Sequence, residues 1–252
     1  MSRWGRRRQL IYLAIFVLIV AAIAGTAFYR YQPVESCTDG RQNGGETGID
    51  CGGACAQVCK DEIAPLKIVW SRVLPISTGF YAAVARVENP NLEAGVRKLK
   101  YTFRLVGADN ILVTYRSGTT FVNPGESFIV FEGGINTLNG RPTQAFFTFE
   151  TPDWQKASEE LPLVVVDSKT FTNTAPARLV ANINNRSITD LAKVEVTALL
   201  SDAAGNALTA GQTYIDNLSR ESSQTAFFAW PDKLPLAPTF IDLYPRVSIF
   251  DF

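Results

Sequence analysis

The chain is predicted to be all-β, two tandem β-sandwiches set behind one N-terminal transmembrane helix and a small disulfide-rich segment. Three observations lead there. Leu10–Tyr29, LIYLAIFVLIVAAIAGTAFY, carries no charged side chain, and a helix of about 20 residues rising 1.5 Å per residue spans the hydrocarbon core of a bilayer. All four cysteines fall within residues 37–59. From Pro65 onward, short alternating or apolar runs are separated by Gly, Asn, Asp and Pro, a sandwich pattern, and the pattern recurs after about 95–96 residues.

Composition narrows the chemistry. Lys+Arg and Asp+Glu both number 24 in 252 residues, so no net field favours nucleic acid. Histidine is absent, which removes Ser-His-Asp and Cys-His catalysis and histidine-based metal sites. One Met and sixteen Phe suit a body of β-branched and aromatic residues.

Arg3, Arg6, Arg7 and Arg8 precede the apolar run, whereas only Arg30 follows it closely. The positive-inside rule places residues 1–9 in the cytoplasm and the body outside the membrane. Trp4 and Tyr12 on one side, with Phe28, Tyr29 and Tyr31 on the other, match the interfacial aromatic belts. A cleaved signal peptide is the competing reading, because Ala22-Ile23-Ala24 fits a small-x-small cleavage site. The run's continuation to Tyr29 exceeds the usual apolar length of a signal peptide and favours the uncleaved anchor. Cleavage near Ala24 would make the same body a secreted protein.

Residues 30–36 form a spacer to a module at 37–59, CTDGRQNGGETGIDCGGACAQVC. This Gly-rich stretch lacks the large apolar residues of a core and needs cross-links. Outside the membrane, Cys37, Cys51, Cys55 and Cys59 read as two disulfides with three open pairings; in the cytosol they would read as zinc ligands. Asp39, Asn43, Glu46 and Asp50 offer oxygens of the kind that hold Ca²⁺, or serve only as turn formers. The stretch resembles a short module of surface proteins, C-x-D-G-x-x-N-G-x-E-T-x-x-D-C-G-G-x-C-x-x-C, with one extra residue between Cys55 and Cys59. That resemblance implies an extracytoplasmic setting and no activity.

The repeat assigns sandwich 1 to 63–150, a polar linker to 151–161 and sandwich 2 to 162–252. PLKIVWSRVL at 65–74 parallels PLVVVDSKTF at 162–171, and RKLKYTFRLVGADN parallels AKVEVTALLSDAAGN. Leu99, Tyr101, Phe103 and Leu105 alternate, as do Val194, Val196, Ala198 and Leu200, so each strand has one buried face. GADN and DAAGN carry hairpin-turn chemistry. Trp154 is expected to pack at the junction. VENPN at 87–91, VTALLSDAAGN at 196–206 and TYIDNLSRESS at 213–223 resemble FxLYD-type and late-embryogenesis-abundant type 2 domains. Those are immunoglobulin- or fibronectin-like sandwiches, so the resemblance implies a binding or spacing module and transfers no catalytic residue.

Nothing nominates a catalytic carboxylate pair. Arg97, Lys98 and Lys100 read as a solvated strand edge, with an anionic-ligand patch as the sharper alternative. In AFFAW, alternation buries either Phe227 or the pair Phe228 and Trp230; the latter are the candidate binding aromatics. Asn185-Arg186-Ser187 and Asn217-Leu218-Ser219 match the glycosylation pattern.

The expected role is non-enzymatic: a membrane-anchored extracytoplasmic binding, adhesion or envelope scaffold with an unidentified protein or envelope partner and no nucleic acid. The rival is an accessory subunit of a membrane enzyme or secretion complex, packing through Ala21, Ala22, Ala24 and Gly25 of the helix.

Overall fold

A computed structural model describes residues 3–30, 36–138, 140–157 and 161–251. Tyr31, most of the 30–36 spacer and residues 158–160 of the 151–161 linker lie outside them. The chain forms two compact units, Met1–Cys55 and Ala56–Phe252.

The first unit holds one helix, α1, over Arg3–Arg30, followed by the Gly-rich loop. Its stretch Leu10–Arg30 is long and apolar enough to cross a membrane, and none of it is buried against protein. The one aliphatic hydroxyl inside that stretch, on Thr26, turns back onto the carbonyls of Ala22 and Ile23, both at 2.9 Å. Such back-bonding satisfies a polar group where no water is at hand.

The second unit is almost wholly β. Its first six strands are β1 (Lys67–Ser77), β2 (Phe80–Glu88), β3 (Ala94–Val106), β4 (Leu112–Val122), β5 (Ser127–Asn136) and β6 (Gln144–Phe149). They pair antiparallel as β1-β2-β5 and β4-β3-β6. A two-residue strand, β7 (Gln155–Lys156), adds to β3, so part of the sequence-assigned linker is sheet. The next six are β8 (Val164–Thr172), β9 (Ala177–Asn185), β10 (Leu191–Ser201), β11 (Ala207–Leu218), β12 (Ser223–Trp230) and β13 (Phe240–Arg246). They pair as β8-β9-β12 and β11-β10-β13, the same order as in the first set. Even the irregularities recur: the register shifts at Leu105/Val106 in β3 and at Leu200/Ser201 in β10.

Period-two alternation explains how each set closes. Ala83, Ala85 and Val87 of β2 meet Phe103 and Leu105 of β3, with Phe128 and Phe147, in one core. Trp154 packs against this first core. In the second set, Leu179, Ala181 and Ile183 of β9 meet Val196, Ala198 and Leu200 of β10, joined by Phe228 and Trp230. A third cluster joins the sets: Leu74, Val84 and Ile129 on the far face of β1-β2-β5 pack against Leu199 and Ala210 on the far face of β11-β10-β13. Sheet β1-β2-β5 is therefore covered on both faces, and β2 reads Ala82-Ala83-Val84-Ala85 with every residue fully buried.

One polar device appears in both sets. The buried Asn89 donates from Nδ2 to the carbonyls of Ala94 and Asn123, each at 2.8 Å, and accepts the Asn91 N–H at 3.0 Å. Asn185 likewise reaches the carbonyls of Thr189 (2.8 Å) and Leu218 (3.1 Å) and accepts the Ser187 N–H at 3.0 Å. Each amide ties the end of one strand to the start of the next and to the far end of the hairpin. Buried and fully engaged, Asn185 cannot accept a glycan, whatever its sequence pattern. Asn89→Ala and Asn185→Ala should each lower the unfolding free energy by about 2–3 kcal/mol, because the orphaned carbonyls stay buried. Urea unfolding of each variant checks this; a change near zero would show that water takes the amide's place.

Candidate functional site

The most specific chemistry lies where the two strand sets meet, and it is built around Arg246 at the end of β13. Its guanidinium is 2% exposed and pairs with Glu126, Nε to Oε1 at 2.6 Å and Nη2 to Oε2 at 3.1 Å. It also donates to the Phe121 carbonyl at 2.8 Å and lies 3.4 Å from Glu195. The rings of Phe121 and Phe128 cover it, with centroids 4.2 and 4.0 Å from Cζ. A bidentate, ring-covered guanidinium is the geometry Arg supplies and Lys cannot. The chain beyond it continues the contact. Asn123 donates to the Val247 carbonyl at 3.0 Å, and the Phe250 ring lies so close over Gly95 that a Cβ there would come within 2.9 Å of it.

Beside this clamp opens a polar cleft of ≈ 340 Å³, lined by Tyr101, Thr119, Thr120 and Glu132 from the first set and by Glu195, Gln212 and Tyr214 from the second. Tyr101 donates its hydroxyl to Glu132 Oε1 at 2.8 Å. Gly118 makes room for that pair, since a Cβ on it would stand 2.5 Å from the Tyr101 hydroxyl. Burial, then the neighbouring Glu132 charge, pushes the Tyr101 phenol far up, and burial followed by Glu195 raises Tyr214. Both carboxylates already serve the structure, Glu132 holding Tyr101 and Glu195 facing Arg246.

The residues nominated from sequence fall elsewhere. Cys37 is bonded to Cys55, Cys51 and Cys59 are also disulfide-bonded, and no cysteine is free. Of the three open pairings, the structure has the one containing Cys37–Cys55. Asp39, Asn43, Glu46 and Asp50 act mainly as loop caps. Asp50 accepts the Gly40 N–H at 2.9 Å, Asp39 accepts Asn43 Nδ2 at 2.7 Å, and Glu46 accepts the N–H of Asn43 and Asp50, both at 3.2 Å. Among the described residues, the one group of three Cys, Asp or Glu ligand atoms within 4.8 Å is Cys37, Glu46 and Cys55, and its two sulfurs are joined to each other.

Phe228 and Trp230 require correction as surface aromatics. They are 6% and 3% exposed, and Trp230 donates Nε1–H to the Ala210 carbonyl at 3.1 Å. Alternation fell the other way because Ala226, Phe228 and Trp230 point into the second core, which leaves Phe227 66% exposed. Arg97 and Lys100 lie exposed and pair with Asp251 and Glu150 at 3.6 and 3.3 Å. Sequence reasoning missed Arg246, Glu126 and Glu195. One signal was available: Arg246 is the basic residue in the otherwise mostly apolar FIDLYPRVSIF, and a charge placed in a buried strand needs a partner.

No family model matches the chain, and no curated protein matches it. Among solved structures it is similar to red sea bream transglutaminase, at 12% identity and a TM-score of 0.25, over 74% of this chain and 30% of that one. The chain thus spans under a third of that protein, and a likeness at this level carries no argument about fold or activity.

The cleft has a measurable electrostatic consequence. Burial pushes the Glu195 carboxyl above its ordinary 4.5, against the pull of Arg246. The folded chain therefore holds this proton more tightly than the unfolded chain does. The charged form subtracts stability above the raised folded value, and the subtraction fades as pH falls through that value toward 4.5. Glu195→Gln should be at least as stable as the parent near neutral pH, and its advantage should shrink on acidification. Paired urea melts at neutral and mildly acidic pH check this; an advantage that grows on acidification would contradict it.

Proposed function

We propose that the chain is a single-pass, membrane-anchored, extracytoplasmic scaffold that binds an envelope partner and catalyses nothing. The observation that carries this reading is α1: a stretch, Leu10–Arg30, long and apolar enough to span a bilayer, with none of it buried against protein. Apolar surface on that scale needs lipid or another helix. Four oxidised cysteines follow directly and suit an oxidising compartment. The arginines before the apolar run support an inward amino terminus.

The repeated orders β1-β2-β5 and β4-β3-β6 support reading each strand set as an immunoglobulin- or fibronectin-like sandwich, in line with the FxLYD-type resemblance. The structural employment of Glu132 and Glu195 supports a non-enzymatic role. A second reading, an accessory subunit of a membrane complex, is favoured by the bare small-residue surface of the helix, where a Cβ on Gly25 would meet nothing within 4 Å.

Protease treatment of intact cells, combined with carbonate extraction and N-terminal sequencing, tests the placement. The β-body should be cleaved from outside while the helix stays in the membrane pellet with its amino terminus intact. A soluble product starting at Gly25, or a body protected until the membrane is breached, would overturn it. Crosslinks confined to the helix would favour the subunit reading.

A further inference from the structure

The internal duplication supplies its own control for one surface. In the second strand set, Leu199 of β10 sits between Ala210 of β11 and Asp242 of β13; the first set covers Leu199 and Ala210, while Asp242 stays exposed. The corresponding row in the first set is Tyr115, Arg104 and Phe146, across β4, β3 and β6, and all three are exposed among the described residues. Tyr115 is 62% and Phe146 48% exposed. The covered Ala210 and the exposed Asp242 of the second copy correspond to the aromatic Tyr115 and Phe146 in the first.

Arg104, between them, is exposed and has no hydrogen-bond or ion-pair partner among the described residues. The neighbouring cation on the same face, Lys100, is already paired with Glu150 at 3.3 Å. The adjacent row is entirely hydroxylic: Thr102 Oγ1 lies 2.8 Å from Ser117 Oγ, with Thr148 on the other side. These three hydroxyls line a depression of ≈ 410 Å³ that runs on to Lys100 and Glu150. With strands about 4.8 Å apart, Tyr115 and Phe146 stand roughly 10 Å apart across the row.

We propose that the outer face of sheet β4-β3-β6 binds a carboxylated polysaccharide, with a uronate carboxylate on Arg104, sugar rings against Tyr115 and Phe146, and ring hydroxyls on Thr102, Ser117 and Thr148. A free guanidinium presents the fork that a carboxylate matches in two parallel hydrogen bonds. The flanking rings offer apolar faces to the C–H face of a sugar, and the hydroxyl row both donates and accepts. Single-stranded nucleic acid would call for a basic stripe, whereas β3 offers only Arg104 and, further along, Lys98 without a partner among the described residues, separated by a Lys100 already paired with Glu150. The proposal deepens the envelope-scaffold reading and rests on it for access to such a polymer; the affinity itself belongs to the purified chain whatever its topology.

The test is affinity electrophoresis of the full-length chain in detergent, through gels holding polygalacturonate, dextran or single-stranded DNA. Polygalacturonate should retard the chain, and the other two should not. Arg104→Gln should weaken retardation by about tenfold, the loss of one charge-assisted pair. Arg104→Lys should fall between, and Tyr115→Ala with Phe146→Ala should weaken it comparably. Arg178→Gln, an exposed arginine on β9, should change nothing. Thermal melts confirm that each variant is folded; because these side chains are exposed, Arg104→Gln and Arg104→Lys should melt with the parent. No retardation by polygalacturonate, equal retardation of folded Arg104→Gln, or preferential binding of DNA would overturn the proposal. So would self-association of the parent that Arg104→Gln abolishes, which would assign this face to a second copy. A failed topology experiment with intact polygalacturonate binding would remove only the access argument.

Discussion

Val84 and Ile129 point away from the core that their own strands build, yet both are fully buried. A sheet with two apolar faces must be covered twice, and sheet β1-β2-β5 meets that condition only because the second strand set packs on its far side. Everything distinctive about the β-body follows from this. The polar cleft opens between side chains of the two strand sets, with Tyr101 and Glu132 on one side and Glu195 and Tyr214 on the other. Arg246 is held beside it because Glu126 from the first set is its closest partner. Charge and aromatic contact fix the register of one set on the other, while the apolar patch of Leu74, Val84, Ile129, Leu199 and Ala210 provides the non-directional attraction.

The same constraint leaves two faces without internal cover, the outer surfaces of β4-β3-β6 and β8-β9-β12. Duplication makes them comparable with the two faces that are covered. Position by position, Leu199 corresponds to Arg104, where the covered face is apolar and the open one charged, whereas Val84 corresponds to Val180, the same residue on a covered and an open face. The exposed Val180–Phe227 pair occupies the same register as the Val84–Phe131 pair, in which Val84 is fully and Phe131 partly buried, and Phe227, not Phe228, is the aromatic left at the surface.

How much of this could be read beforehand differs by element. Alternation over Tyr101-Thr102-Phe103-Arg104-Leu105 located β3 and its inward face, and the turn residues GADN and DAAGN bounded the hairpins, because both signals are local. Helix α1 and the oxidised cysteines were equally legible. The phase of AFFAW was not, since alternation alone leaves either face free to go in. Packing between the strand sets stayed hidden because a period-two pattern says that a face is apolar without saying what covers it. The run Ala82-Ala83-Val84-Ala85 was the available clue: a strand apolar at every position is buried on both sides. Arg246 escaped notice because its partner Glu126 lies 120 residues away in sequence.

If burial of the first sheet's far face is what makes the β-body one object, the two strand sets should open together. Native-state hydrogen exchange of the full chain, read by mass spectrometry on peptides from β2 and β9 at increasing denaturant, measures this most directly. The account predicts that the slowest amides of both strands merge into one opening reaction with the same free energy and denaturant dependence. Two openings, with β9 exchanging while β2 stays protected or the reverse, would contradict it.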